Sequence, residues 1–276
     1  MVDLHLHTTA SDGRLAAAAL VDLAAANGVS VLAVTDHDTV ESCREVADAA
    51  RRHGIEAVPG IEITAVETGR DVHMLGYFFD VDHRELQDFL TTQRQTRIRR
   101  VERIVRRLGE LGMPVDVAPV TAAAVARGRS IGRPQVADGM IAAGHVASRR
   151  EAFERWLGAG RPAFIARDGA APEVVIGIVH AAGGLVSLAH PGRTGLGDRR
   201  IEELLAAGLD AIEVYHSDHA AETVAQYAAL ADRCGCLRTG GSDFHGDPAY
   251  PLTVGSVSLP TEHWISLRDA SHQRRH

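Results

Sequence analysis

Short apolar runs alternate with alanine-rich helical stretches along most of this chain, and histidines or carboxylates stand at the ends of the runs. Runs at about 2–6, 31–35, 56–64 and 71–79 read as strands, and stretches near 15–27 and 40–52 carry apolar residues at helical spacing. The alternation resumes after residue 170, with helices near 172–182, 198–207 and 219–233 and strands at 185–189, 211–215, 237–240 and 253–258. Strand followed by helix, repeated, implies a parallel α/β architecture. In a parallel barrel, functional side chains gather at the carboxyl ends of the strands.

Residues 84–168 interrupt the pattern, and no strand is expected there. One long helix is expected over 85–111, crowded with Arg94, Arg97, Arg99, Arg100, Arg103, Arg106 and Arg107, with shorter helices near 133–143 and 149–158. The chain thus divides into a barrel over 1–83 and 169–276 and a helical insertion over 84–168 that serves as lid or substrate domain. The seven arginines span all faces of a helix. A solvated or oligomer-facing surface is the simpler reading of them, and contact with nucleic acid the other.

At the strand ends stand residues that bind Zn, Mn or Fe. His5 and His7 alternate, so both imidazoles point to one side of their strand. Asp12 opens the next loop and could equally be a turn or helix-capping aspartate. Asp36, His37 and Asp38 follow Val31-Leu32-Ala33-Val34; Asp36 is a candidate to orient His37, and Asp38 or Thr39 to cap the next helix. Glu62 lies in an apolar strand, where an unpaired carboxylate is costly, so it needs an arginine or a bridging metal ion. His73, His190, Asp243 and His245 complete the set, and His216 follows a strand toward the same rim. Six separate segments supplying such ligands imply one multinuclear site.

Composition narrows the chemistry. All 29 basic residues are arginine, so a lysine Schiff base, a pyridoxal phosphate anchor and a Walker phosphate loop are excluded. Phosphate recognition must then use arginine, metal ions or backbone N–H groups. A formal charge of −7 argues against a general nucleic-acid binder. The three cysteines form no CxxC pair, and no apolar run approaches membrane-spanning length or has signal-peptide form, so a cytoplasmic setting without a membrane partner is expected.

The order HxH, SDG, TDHD, GxE, H, AHP and SDxH, running from Asp3 to His245, resembles the polymerase-and-histidinol-phosphatase (PHP) family. The resemblance implies a distorted (β/α)7 barrel with a helical insertion, two or three divalent metal ions (Mn, Fe or Zn), and phosphoesterase activity. By position, His5, His7, Glu62 and Asp243 would hold one metal and its activated water. Glu62 would bridge to a second near His73 and His190, while Asp12, His37 and His245 would hold a third. Ile131-Gly132-Arg133-Pro134-Gln135 resembles the Gly-Arg-Pro-His segment of the nucleotide-phosphatase branch, with Gln135 in place of histidine. Arg133 and Arg193 are the expected phosphate contacts, and His216 a substrate contact or acid.

The expected reaction is hydrolysis of a small-molecule phosphate monoester by a metal-activated water, with AMP or a nucleoside 3′,5′-bisphosphate as the substrate type. Histidinol phosphate or another biosynthetic intermediate is the competing phosphatase substrate. Two further reactions stay open: exonuclease action on short RNA or DNA ends, and metal-dependent C–N hydrolysis. For C–N hydrolysis the usual bridging lysine is missing.

Overall fold

The computed structural model describes residues 1–248 and 252–274. Seven strands lie side by side in chain order: β1 (Val2–Leu6), β2 (Val31–Val34), β3 (Glu56–Glu67), β4 (Arg70–Tyr77), β5 (Leu185–Leu188), β6 (Ala211–His216) and β7 (Leu237–Gly241). The ring nearly closes beyond β7, where Asp243 N–H donates to His5 O at 2.9 Å and His7 N–H to Phe244 O at 3.0 Å. This is a distorted seven-stranded α/β barrel. Two glycines allow its seam: a Cβ on Gly241 would stand 2.4 Å from His5 N, and one on Gly13 would stand 2.3 Å from His7 O.

Helices α1 (Ala17–Ala26) and α2 (Cys43–His53) cross between the first strands, each with a buried apolar stripe against β1 and β2. The expected uniform parallel sheet fails at β4. It returns antiparallel to β3 through a two-residue turn at Thr68 (φ 48°) and Gly69 (φ 77°), and it is also antiparallel to β5. Two successive left-handed residues favour a tight hairpin over a helical crossover. Reversal brings the N-terminal half of β4, with His73, to the rim where the other strands present their carboxyl ends.

The chain next forms α3 (Arg84–Glu110), α4 (Ala118–Arg127), α5 (Arg133–Ala142) and α6 (Arg149–Ala152), the last running into a π-type turn at Phe153–Leu157. The sequence pattern does not predict α4. Pro119 occupies its first turn, where a missing N–H costs nothing, and Gly128 ends it at φ 66°. Val101, Ile104, Leu108, Val136 and Met140 gather in an apolar cluster belonging to this segment.

The barrel resumes with α7 (Pro172–Ala181), α8 (Pro191–Thr194), α9 (Asp198–Ala206), α10 (Ala221–Cys234) and a terminal α11 (Thr261–Arg274). The strand expected at 253–258 is a turn: Gly255 has φ 80° and its N–H donates to Asp3 Oδ2 at 2.8 Å. No helix among the described residues is long and apolar enough to cross a membrane.

Candidate metal centre

The barrel rim gathers His5, His7, Asp12, His37, Glu62, His73, His190, Asp243 and His245 into one cluster, buried at its floor and partly exposed at His73 and His245. Glu62, 1% exposed on β3, is its hub. One carboxylate oxygen lies 2.6 Å from His73 Nδ1 and 3.1 Å from His190 Nε2. The other lies 3.4 Å from His5 Nε2, 3.2 Å from His7 Nε2 and 3.1 Å from His37 Nδ1. No arginine reaches Glu62 among the described residues, which favours a bridging metal ligand. Burial alone would raise this carboxyl, yet His37, His73 and His5 hold it well below the usual carboxylate range.

Asp243, at the left-handed φ of 54°, faces the same space. Its Oδ1 is 3.3 Å from His5 Nε2 and 3.2 Å from His7 Nε2. Asp12 turns to His7, His37 and His245, with its oxygens 3.3–3.7 Å from their ring nitrogens. It does not cap α1, whose first turn follows Ala16. His190 sits at φ 28°, so two candidate ligand positions carry backbone strain of the kind found at functional sites.

The donor set fits divalent metal ions. Ring nitrogens of His7, His37, His73, His190 and His216 are buried without a hydrogen-bond partner, an arrangement costly unless something else takes their lone pairs. Ligand atoms of His7, Asp12, His37 and His245 lie within 4.8 Å of one another, as do those of His5, Glu62 and His190, of His5, His216 and Asp243, and of His37, Glu62 and His73. Imidazole with carboxylate suits Mn, Fe or Zn.

Other expectations change. Asp36 does not touch His37; it accepts from Thr8 N–H at 2.8 Å, Ser11 Oγ at 2.7 Å and Ser42 Oγ at 2.5 Å, fixing the loop that carries Asp12. Asp38 caps no helix, since Ser42 precedes α2; it meets Arg97 at 2.5 Å and Arg167 at 2.9 Å. His216 is buried behind Asp243 instead of standing on the rim. Its Nδ1 accepts from Asp218 N–H at 3.0 Å, and its Nε2 lies 3.4 Å from Asp243 Oδ2 without a hydrogen-bond partner.

Glu213 is absent from the set expected from sequence. Fully buried on β6, it lies 2.9 Å from His5 Nδ1 and accepts from His190 N–H at 2.6 Å. It therefore aims the other nitrogen of His5 into the cluster and holds the strained His190 backbone. Glu213→Ala is expected to weaken metal binding about 10–100-fold, with much of that recovered in Glu213→Gln. Metal titration of the three proteins checks this, and equal affinities would remove the orienting role.

A cleft of about 380 Å³ opens over the cluster, lined by Asp12, His37, Glu62, His73, His190, Asp243 and His245 on the barrel side. Arg97, Arg100, Arg133, Arg167 and Arg193 line it as well. Arg133, first residue of α5, lies 3.2 Å from Asp71 and stacks over the rings of Phe153 and Phe164. Arg193 is half exposed, 3.0 Å from Asp218 and 3.7 Å from Asp243. Gln135 ties the insertion to the barrel: its Oε1 accepts from Gly132 N–H at 2.8 Å and its Nε2 donates to Ser11 O at 2.6 Å.

Residues 3–221 match the PHP domain. The chain belongs to this family. The PHP domain protein is 35% identical over 247 residues to a 5′-3′ exoribonuclease of Haemophilus influenzae, covering 88% of this chain and 89% of the relative. It is 32% identical to a 3′,5′-nucleoside bisphosphate phosphatase of Chromobacterium violaceum, over 88% of this chain and 87% of that one. Among solved structures, a metal-dependent phosphoesterase from Bifidobacterium adolescentis superposes with the PHP domain protein at a TM-score of 0.89. The two share 32% identity over 96% and 94% of their lengths.

Proposed function

We propose that this protein is a metal-dependent phosphatase that releases phosphate from a nucleotide, with Mn, Fe or Zn at two or three sites. The observation that carries the reading is the single cleft that has imidazole and carboxylate donors on its floor and five arginines in its lining. Metal donors favour a hydrolytic centre, and arginines select an anionic substrate. The names of the relatives agree: one is a nucleoside bisphosphate phosphatase and one a phosphoesterase.

His5, His7, Glu62 and Asp243 would hold one ion, Glu62 with His73 and His190 a second, and Asp12, His37 and His245 a third. Bound divalent ions supply Lewis acidity and an activated water for in-line attack on phosphorus. Arg193, 3.7 Å from Asp243, is the arginine to neutralise charge on the reacting phosphoryl oxygens. Glu213 keeps His5 Nε2 turned inward. His216, with Nε2 3.4 Å from Asp243 Oδ2, backs that carboxylate and could join His5 and Asp243 in holding an ion. The segment 84–168 acts as the substrate lid, pinned to the barrel by Gln135 and contributing Arg97, Arg100, Arg133 and Arg167 to the cleft.

The test is phosphate release by the Mn-loaded protein from AMP, a nucleoside 3′,5′-bisphosphate, histidinol phosphate and short oligoribonucleotides. Preference for a nucleotide monoester supports the reading. Preference for histidinol phosphate would replace the substrate class, and silence on all, with metal bound, would sink the reading. Exoribonuclease action is the second reading, favoured by the Haemophilus influenzae relative's name. For either substrate, Arg133→Ala is expected to raise KM roughly tenfold at unchanged metal content, by loss of one charge-assisted contact. Steady-state kinetics beside metal analysis checks this, and an unaltered KM would take Arg133 out of the substrate contacts.

A further inference from the structure

Three consecutive carbonyls of the loop that carries Asp12 are held from the insertion. Ser130 N–H donates to Ala10 O at 2.9 Å, Gln135 Nε2 to Ser11 O at 2.6 Å, and Arg149 Nη1 to Asp12 O at 3.2 Å. Ala10, Ser11 and Asp12 are all buried, and buried carbonyls require such partners. The two side-chain donors are themselves fixed. Gln135 Oε1 accepts from Gly132 N–H at 2.8 Å, so its amide has one orientation, acceptor toward its own helix and donor toward the loop. Arg149 makes a two-pronged pair with Asp138 of α5, through Nε at 2.7 Å and Nη2 at 2.5 Å, which turns Nη1 to Asp12 O. From the barrel side, Asp36 holds the same loop through Thr8 and Ser11, so Asp12 lies between two grips.

The neighbours of Asp12 in the cluster are tied in the same way. Thr39, two residues past His37, donates through Oγ1 to Gly128 O at 2.8 Å, and Arg94 Nη1 donates to Asp38 O at 3.2 Å. Arg14 N–H donates to His245 O at 2.8 Å, joining the end of the Asp12 loop to His245. Glu62 and His73 differ. They stand inside the β3–β4 ladder, where Glu62 faces Leu75 and His73 faces Thr64. A ladder keeps its own residues in place, whereas a loop residue is only as well placed as its outside partners make it.

We infer that Gln135 and Arg149 are positioning residues for Asp12, so that docking of the insertion completes the ligand group of Asp12, His37 and His245. The inference rests on the metal-dependent reading of the site and deepens it: the insertion is then a structural part of one ion site as well as a cover for the cleft.

The experiment titrates the metal-free protein with Mn and compares wild type, Asp12→Ala, Gln135→Leu, Arg149→Met and the double variant of Asp12 and Gln135. Asp12→Ala is expected to remove one class of bound Mn. Gln135→Leu and Arg149→Met are each expected to weaken that same class roughly tenfold or more and to leave the other ions unchanged. Removing the Arg149 cation would by charge alone tighten a nearby cation site, so weakening there reports position. In the Asp12→Ala background, Gln135→Leu should change Mn binding no further. Amide exchange of the metal-free protein gives a second readout. Ser11 and Gly13 N–H groups donate to Thr8 O at 3.1 and 3.0 Å, and both should exchange faster in Gln135→Leu. Equal Mn affinities in wild type, Gln135→Leu and Arg149→Met, or uniform weakening of every ion, would overturn the positioning role while the metal centre stands. Retention of every class in Asp12→Ala would overturn it as well. A wild type that binds no Mn would instead remove the metal-dependent reading beneath it.

Discussion

Glu62→Gln is expected to lower kcat by on the order of 10³-fold or more and to reduce bound metal. The side chain keeps nearly the same volume, so the effect isolates charge. Five imidazoles approach the two oxygens of Glu62, His73 and His190 at one, and His5, His7 and His37 at the other. An amide offers one weak acceptor in place of two anionic ones and turns an N–H donor toward the imidazole nitrogens. No other carboxylate in the cluster meets as many histidines. Elemental analysis beside steady-state kinetics at saturating Mn checks the expectation. Full metal content with near-normal turnover would show that Glu62 is no bridging ligand.

Asp38→Asn should be the most damaging change for stability away from the histidine–carboxylate cluster. Asp38 is fully buried, and its Oδ2 is the shared partner of Arg97 and Arg167, themselves mostly buried. Removing one partner of a buried ion pair costs about 3–5 kcal/mol, because a buried cation loses its counter-charge. That corresponds to a fall in Tm of roughly 10 °C for a chain of this size. The contrast is Asp82→Asn. Asp82 meets Arg44 at 2.7 Å, but the two side chains are 67% and 75% exposed. A pair so exposed contributes about 0–1 kcal/mol.

Acid titration gives the same ranking a second readout. Burial would raise the Asp38 carboxyl, but Arg97 and Arg167 outweigh it and hold it well below its ordinary value. The folded value is depressed, so the stabilisation is complete above the unfolded value of about 3.9 and is lost as pH falls through the folded one. Wild type should therefore lose more stability than D38N over that acid range. Parallel Tm-versus-pH curves would contradict the assignment.

Much of this architecture is readable from the chain. The strand ends announce themselves because imidazoles and carboxylates are seldom left at the close of an apolar run without a partner. The same reasoning that singles out Glu62 applies to Glu213, a carboxylate between the buried Ile212 and Val214, and it is the signal that points to the residue aiming His5. The reversed strand is less accessible: Thr68-Gly69 is a short turn signal, and β4 has the same composition as a parallel strand. The arginines of α3 mislead for a physical reason. Their spacing covers every face of the helix, so sequence does not separate Arg97 and Arg100, which turn into the cleft, from Arg99 and Arg103, which do not line it. Asp38 and Asp71, the partners that choose between those faces, lie far away in the chain.

Reversal of β4 sends the chain out at the base of the barrel, at the end opposite the histidine–carboxylate cluster. The insertion must therefore begin there, and the 27 residues of α3 cover about 40 Å, enough to climb the whole flank. Gln93, Arg97 and Arg100 touch the barrel on the way up, at Thr64, Asp38 and Asp71. The shaft behaves as a screw whose thread is set at its foot. One residue gained or lost between Arg84 and Gln93 would turn everything above it by about 100°, swinging the arginines away from Asp38 and Asp71. Length in that stretch is thus quantised in near-whole turns, while the distal loops of the insertion are free of that constraint.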